Sequence, residues 1–315
     1  MAGSEFIQSA PARRGEITEK WALGRTLRYR AMRVTTPDGL NIAVQDWAPD
    51  EAPRKAELLL LHGFSQSHGA WLHQVSGPLA SEFRLVTYDL RGHGESDKPA
   101  DPHHYRSGEL WARELQAVID APGLQRPILV AWSYSGRVAL DYLNLFGDAG
   151  LGGLVMVNAS TSGDPDMMGP AASLLRQMTD LDATTALAGT LALLRACVAK
   201  PLLPDELDYM LRYNQLVPPA IRINLAGRPA DYQTALRAVR IPTLVMQGSL
   251  DPVTAPAMSV YTAEQVRDAK AITYDGLAHM PFWESPRRFD DDLAQFVNER
   301  ILRDRKTSST SPQLT

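Results

Sequence analysis

Residues 127–140 constrain the fold of this chain more than any other stretch. Ile128, Leu129, Val130, Ala131 and Trp132 form a short apolar run rich in β-formers, which breaks at the small residues Ser133, Ser135 and Gly136. An apolar pattern at helical spacing then resumes, with Val138, Ala139, Tyr142 and Phe146 able to share one face. A strand that turns abruptly into a helix, with a serine at the turn, lifts that hydroxyl clear of the sheet. It also points the first amides of the helix at whatever the hydroxyl attacks. The common form of such a turn is Gly-x-Ser-x-Gly, and here Ala131 and Ser135 stand where the glycines would be. What the two positions require is little bulk, and both residues supply that. With Ser135 at the turn instead, the flanking positions would be Ser133 and Arg137, and an arginine there would hold strand and helix apart. The register therefore favours Ser133.

Around this stretch, strand and helix alternate. Residues 31–36 and 40–47 read as a hairpin about Pro37, Asp38 and Gly39. Leu58 to Leu61 is a continuous apolar run, as expected of a strand covered on both faces. Further strands are expected at 84–89, 154–157, 243–247 and 271–274, with helices near 70–79, 107–121, 256–266 and 286–302. Between them, residues 160–239 offer only helix-like segments separated by prolines, most clearly 185–198 and 205–216. The pattern predicts an α/β fold: a mostly parallel sheet flanked by helices, built from 21–159 and 240–303. A helical cap at 160–239 would lie over one end, and 1–20 and 304–315 are expected to be flexible termini. Ligands bind such sheets at the carboxyl ends of strands, which an insertion following a strand would cover.

Bulk composition narrows the class. There are 32 Lys and Arg against 36 Asp and Glu, a net charge of -4, and no basic stripe, which argues against nucleic acid as a partner. Cys197 is the single cysteine, so no intrachain disulfide can form. That fits a reducing compartment. No apolar run reaches the roughly 18 residues of a membrane span, and the first residues lack the apolar core of a secretory signal. A cytoplasmic protein is expected.

A serine hydroxyl needs a base, and the base needs an orienting group. His279 is the one histidine after His104, and it follows the last expected strand. Asp251 follows the strand before that. Each lies between a glycine and a proline, Gly248 and Pro252 for Asp251, Gly276 and Pro281 for His279, which suits a fixed turn. Asp89 also ends a strand but precedes the serine in the chain, and Asp164 and Asp166, after the strand at 154–157, are other candidates. His93 lies among glycines in a loop read as a structural turn, His62 reads as a brace of the loop it begins, and His68, His73, His103 and His104 read as surface or helix residues. No spacing among them suggests a metal site.

Five segments then carry a resemblance over roughly residues 34–297. They are His62-Gly63-Phe64; Asp89-Leu90-Arg91-Gly92-His93-Gly94-Glu95-Ser96; Trp132-Ser133-Tyr134-Ser135-Gly136; Gly248-Ser249-Leu250-Asp251-Pro252; and Gly276-Leu277-Ala278-His279. In this order they resemble the α/β-hydrolase fold, in particular its capped, cofactor-free serine esterases and the non-haem haloperoxidases, which act as perhydrolases. The resemblance implies an eight-stranded, mostly parallel sheet with the cap inserted after strand 6. It implies a triad of Ser133, Asp251 and His279, with the backbone N–H groups of Phe64 and Tyr134 as an oxyanion hole, and neither metal nor cofactor.

Hydrolysis of a carboxylic ester or lactone through an acyl-serine is the leading expectation. Perhydrolysis on the same triad is the second, and a ligand receptor with slow turnover is the third. Trp132, Ser135 and Phe282 are expected to line the substrate pocket. Leucines and methionines of the cap predict a small, hydrophobic, uncharged acyl or lactone substrate.

Overall fold

The computed structural model describes residues 14–20, 26–47, 54–228 and 230–302. Its strands are β1 (Arg14–Lys20), β2 (Thr26–Thr35), β3 (Asn41–Asp46), β4 (Glu57–Leu61), β5 (Arg84–Tyr88), β6 (Ile128–Trp132), β7 (Gly153–Val157), β8 (Thr243–Gly248) and β9 (Lys270–Tyr274). They form one sheet in the order β1-β2-β3-β5-β4-β6-β7-β8-β9. From β5 to β9 all neighbours are parallel, while β1, β2 and β3 join one edge antiparallel. The expected eight strands correspond to β2–β9, and β1 extends them. Residues 14–20, expected to be part of a flexible terminus, instead form this edge strand, because the backbone of β2 offers them a free row of hydrogen-bonding groups from Thr26 to Met32. The rest of the expected loose ends, 1–13 and 304–315, lie outside the described residues.

The central strands are apolar throughout because helices cover both faces of the sheet. Every side chain of β6, β7 and β8 is buried, as are Leu58 to Leu61 of β4. The helix Ser135–Phe146 leaves β6 directly, and the helix Gly108–Asp120 packs beside it. The helix expected at 70–79 is instead a 3-10 turn, His68–Trp71, followed by the short helices Leu72–Val75 and Pro78–Glu82. Gly77 and Pro78 break the run, since the proline lacks the N–H a continuing helix needs.

Five helices separate β7, the sixth of the expected strands, from β8: Ala172–Gln177, Ala183–Ala196, Pro204–Gln215, Pro219–Ala226 and Gln233–Ala238. Asp182 caps the second, accepting the Thr185 N–H at 2.8 Å, and prolines open the third and fourth at their first helical positions. Buried Arg222 draws the insertion together. Its guanidinium donates to the carbonyls of Met178 (3.2 Å) and Asn214 (2.7 Å) and to the Thr190 hydroxyl (3.3 Å). Burial lowers its pKa to about 10.

The insertion is also stitched to the loop after β8. Met168 and Thr254 form an antiparallel bridge. The Gly169 N–H donates to the Val253 carbonyl (2.9 Å), that of Ala171 to Pro252 (2.7 Å), and that of Ala255 to Met167 (3.0 Å). No described helix is long and apolar enough to cross a membrane.

Candidate active site

Parallel strands deliver the candidate residues to one edge of the sheet. Ser133 follows β6, Asp251 follows β8, and His279 follows β9. The Ser133 Oγ lies 2.9 Å from His279 Nε2, and His279 Nδ1 lies 2.8 Å from Asp251 Oδ2. With Nδ1–H donating to the carboxylate, the lone pair on Nε2 faces the serine hydroxyl. Asp164 and Asp166 are exposed, and Asp164 caps a 3-10 turn by accepting the Asp166 N–H at 3.0 Å. They take no part in the cluster.

Ser133 sits at φ 57, in the left-handed region, which costs a non-glycine residue on the order of 1–3 kcal/mol. The surroundings hold it there. Its N–H donates to the Val157 carbonyl (3.0 Å), and its own carbonyl accepts the N–H groups of Gly136 (3.0 Å) and Ser160 (2.9 Å). Gly136 answers for the missing glycines, because a Cβ there would come within 2.8 Å of the Ala159 Cβ and 3.1 Å of the Ser160 carbonyl oxygen. The tight approach of helix and strand is therefore at Gly136, and Ala131 and Ser135 can carry side chains.

Ser135 is not a pocket residue. It is fully buried, and its hydroxyl lies 2.9 Å from the carbonyl oxygens of both Leu61 and Trp132, tying the turn to β4. Phe282 does not line the cavity either. It is buried in an aromatic cluster, 4.5 Å from the Trp71 ring and 4.9 Å from the Trp132 ring. In both cases the side chain follows the direction its local backbone dictates, inward to the core, although the residue is a chain neighbour of the site. Trp132 does reach the cavity, and its Nε1–H donates to the His279 carbonyl (2.9 Å), fixing the histidine loop.

Asp251 is held by more donors than sequence reasoning anticipates. Its Oδ2 accepts from Asn158 Nδ2 (2.7 Å), the Thr254 hydroxyl (2.7 Å) and Gln247 Nε2 (3.3 Å); its Oδ1 accepts the N–H groups of Val253 (2.8 Å) and Thr254 (3.2 Å). Burial opposes ionisation of this carboxyl. His279 and the side chains of Asn158 and Thr254 outweigh it and hold the pKa below the usual value. Asn158, just past β7 with φ 44, carries no sequence signal of this role.

The loop after β4 runs beside Ser133, where a Cβ on Gly63 would lie 3.1 Å from the Ser133 Cβ, and Phe64 shares the cavity wall. Among the described residues, the N–H groups of Phe64 and Tyr134 have no acceptor. His62 and His93 brace this loop. His62 Nε2 accepts the Leu90 N–H (3.0 Å) with Nδ1 on the Gly63 carbonyl (2.9 Å), and His93 Nε2 accepts the Ser65 N–H (3.1 Å) with Nδ1 on the Arg91 carbonyl (2.9 Å). Both are fully buried, and burial pushes their pKa values down to about 4 and about 3. They are neutral structural groups. His68 opens the 3-10 turn His68–Trp71 and is largely buried, with Nδ1 2.9 Å from Asp89 Oδ1. No group of three or more potential metal ligands occurs among the described residues.

A cavity of about 530 Å³ opens over Ser133 and His279, within the usual size of a small-ligand site. The helical insertion supplies most of its far wall, including Met168, Leu175, Leu193 and Leu225, and Cys197 lines it too. Burial raises the thiol pKa of Cys197 well above the usual range, which keeps it protonated. Arg137 and Arg176 are the charged side chains of the lining. Sequence reasoning weighed Arg137 only for its bulk.

Known proteins resemble this chain over most of its length. The chain is similar to a solved esterase of Rhodococcus sp. ECU1013, at 30% identity and a TM-score of 0.79, covering 86% of this chain and 99% of that one. It is 27% identical over 288 residues to a bifunctional esterase/perhydrolase of Acinetobacter calcoaceticus, covering 84% of this chain and 98% of the relative. It is 25% identical over 280 residues to a 3-oxoadipate enol-lactonase of Acinetobacter baylyi, covering 85% and 97%. The sequence profile described as "Alpha/beta hydrolase family" matches residues 58–292. Sheet order, the turn at Ser133 and this match over most of the chain lead to one assignment: the protein belongs to the alpha/beta hydrolase family.

Proposed function

We propose that the protein is a serine hydrolase that cleaves a carboxylic ester or lactone. The carrying observation is the hydrogen-bonded line from Ser133 Oγ through His279 to Asp251, open at the serine to a largely apolar cavity. His279 Nε2 takes the hydroxyl proton as Ser133 Oγ adds to the acyl carbon. The bond to the alcohol oxygen then breaks, that oxygen takes the proton from His279, and the acyl group remains on Ser133. Water attacks next, giving a proton to His279, and the acid leaves as the proton returns to Ser133. Asp251 keeps the imidazole in the needed tautomer and stabilises its charged form. The free N–H groups of Phe64 and Tyr134 receive the developing oxyanion, each such donor being worth about 3 kcal/mol. The names of the esterase and lactonase relatives support the reaction class.

Perhydrolysis is the second reading, supported by the esterase/perhydrolase relative. Peroxide would take the place of water at the same acyl-serine.

The test is a fluorophosphonate label located by peptide mass spectrometry, run with a panel of chromogenic esters and lactones with and without peroxide. One label at Ser133, lost with most of kcat in Ser133→Ala, is expected. Labelling at Ser135 overturns the register, and no labelling overturns the hydrolase reading. Multiple turnover at about 1 per second or faster on any ester excludes a receptor with a slow triad.

A further inference from the structure

Arg137 stands one helical turn beyond Ser133 and shares the cavity wall with it. Its Nε–H donates to the Ser160 hydroxyl (3.1 Å) and Nη1 to the Arg228 carbonyl (3.3 Å), and its guanidinium lies 5.8 Å from the centre of the Tyr134 ring. Of the five N–H groups of a guanidinium these use two, leaving one on Nη1 and both on Nη2. No carboxylate pairs with Arg137 among the described residues.

Buried Arg222 also lacks a carboxylate but spends its guanidinium on Met178, Asn214 and Thr190 within the insertion, and two other buried arginines are ion-paired. Arg228 pairs with Asp141, which lies one turn beyond Arg137 on the same helix, and Arg91 pairs with Glu114 and Asp38. The cavity as a whole is one-signed: Arg137 and Arg176 line it, while no Asp or Glu does, Asp251 being turned away behind His279. A cation fixed in an apolar wall has lost much of its hydration, and an uncharged ligand beside it returns none of that loss. A carboxylate returns it with charge-assisted hydrogen bonds, two of them if the fork of the guanidinium meets both oxygens.

We propose that the substrate carries a free carboxylate besides its scissile ester or lactone, and that Arg137 binds that carboxylate. The word "scissile" rests on the serine-hydrolase reading above; the binding does not. The substrate class is a half-ester of a short dicarboxylic acid or a lactone bearing a carboxylate. This replaces the uncharged substrate expected from the sequence. The leucines and methionines of the cavity then enclose the carbon chain between the two functional groups.

Binding separates this proposal from catalysis. Isothermal titration calorimetry on Ser133→Ala protein compares monoethyl glutarate with its neutral half-amide, which has nearly the same shape. The half-ester is expected to bind about tenfold more tightly or better. Adding Arg137→Gln should shrink that preference to about twofold or less, while adding Arg176→Gln, at an exposed position, should leave most of it. Melting curves check that each variant is folded. If Arg137→Gln does not fold, Arg137→Lys takes its place and should reduce the preference without abolishing it, since an ammonium keeps the charge but loses the fork. Equal affinity for the two ligands overturns the proposal. So does no binding of either at millimolar concentration, or a preference lost with Arg176→Gln and kept with Arg137→Gln. Failure of fluorophosphonate to label Ser133 would instead sink the hydrolase reading and leave the binding difference standing.

Discussion

Gly248 and Ala278 are packed backbone against backbone. A Cβ on Gly248 would overlap the Ala278 carbonyl oxygen and lie 2.6 Å from that of Leu277. The Leu250 N–H reaches the same Leu277 oxygen at 2.9 Å, so the loops that bear Asp251 and His279 are laced together. Gly248→Ala must push them apart. It should destabilise the protein by about 1–3 kcal/mol and lower kcat by on the order of a hundredfold, because a displacement near 1 Å suffices for that. Urea melts and ester kinetics check it, and wild-type values for both would show that the loops separate without consequence.

Ser135→Ala tests what the second serine does. Its buried hydroxyl bonds carbonyls of β4 and β6 and does not face the cavity. Stability should drop by about 1 kcal/mol, the worth of a typical buried hydrogen bond. KM should stay near wild type for esters of every acyl length. A KM change that depends on acyl size would return the hydroxyl to the pocket.

Asn158→Leu removes a 2.7 Å donor from the Asp251 carboxylate. We expect kcat to fall about tenfold or more as the aspartate loses its fixed position. A pH effect accompanies this. The Asp251 pKa is depressed in the folded protein, so the stability it contributes is present above the ordinary carboxylate pKa and is lost as pH falls through the folded value. With Asn158 gone the folded value rises, and acid unfolding should begin at higher pH. Melting temperatures measured from neutral to acid pH decide the point.

Asp290 has the opposite sign. Burial raises its pKa to about 7, against the hydrogen bond from Gln74 Nε2 at 3.1 Å. The folded protein therefore holds this proton more tightly than the unfolded chain. The resulting stability is complete below the ordinary carboxylate pKa of about 4 and is lost as pH rises through about 7. Asp290→Asn should be more stable than wild type at pH well above 7, and the difference should shrink or reverse under mildly acid conditions. Parallel curves for the two proteins across that range would contradict the assignment.

The candidate triad is legible in the sequence because each member sits just past an apolar strand, and because no other histidine follows His104. Asn158 is not legible. An asparagine after a strand is an ordinary turn residue until the parallel pairing of β7 with β8 sets it beside Asp251. Ser135 and Phe282 adjoin the site in sequence, but their side chains turn into the core, and adjacency carries no information about that direction. The edge strand β1 escapes notice since Ile17 is its single large apolar residue and it is held through backbone pairing. Arg137 looks like an ordinary helix residue. Asp141, four positions on along the helix, pairs instead with Arg228 of the insertion, which the sequence does not show.

The bridge between Met168 and Thr254 has a bearing on how such enzymes can be rebuilt. Thr254 gives both its N–H and its hydroxyl to Asp251, and the strip just before it is sewn to residues 167–171. The insertion is thus part of the mounting for the Asp251 carboxylate as well as a wall of the cavity. A graft that exchanged residues 160–239 for those of a relative would change the substrate and unmoor the acid in the same cut. A transferable module has to run from Asn158 through Thr254, carrying the seam with it.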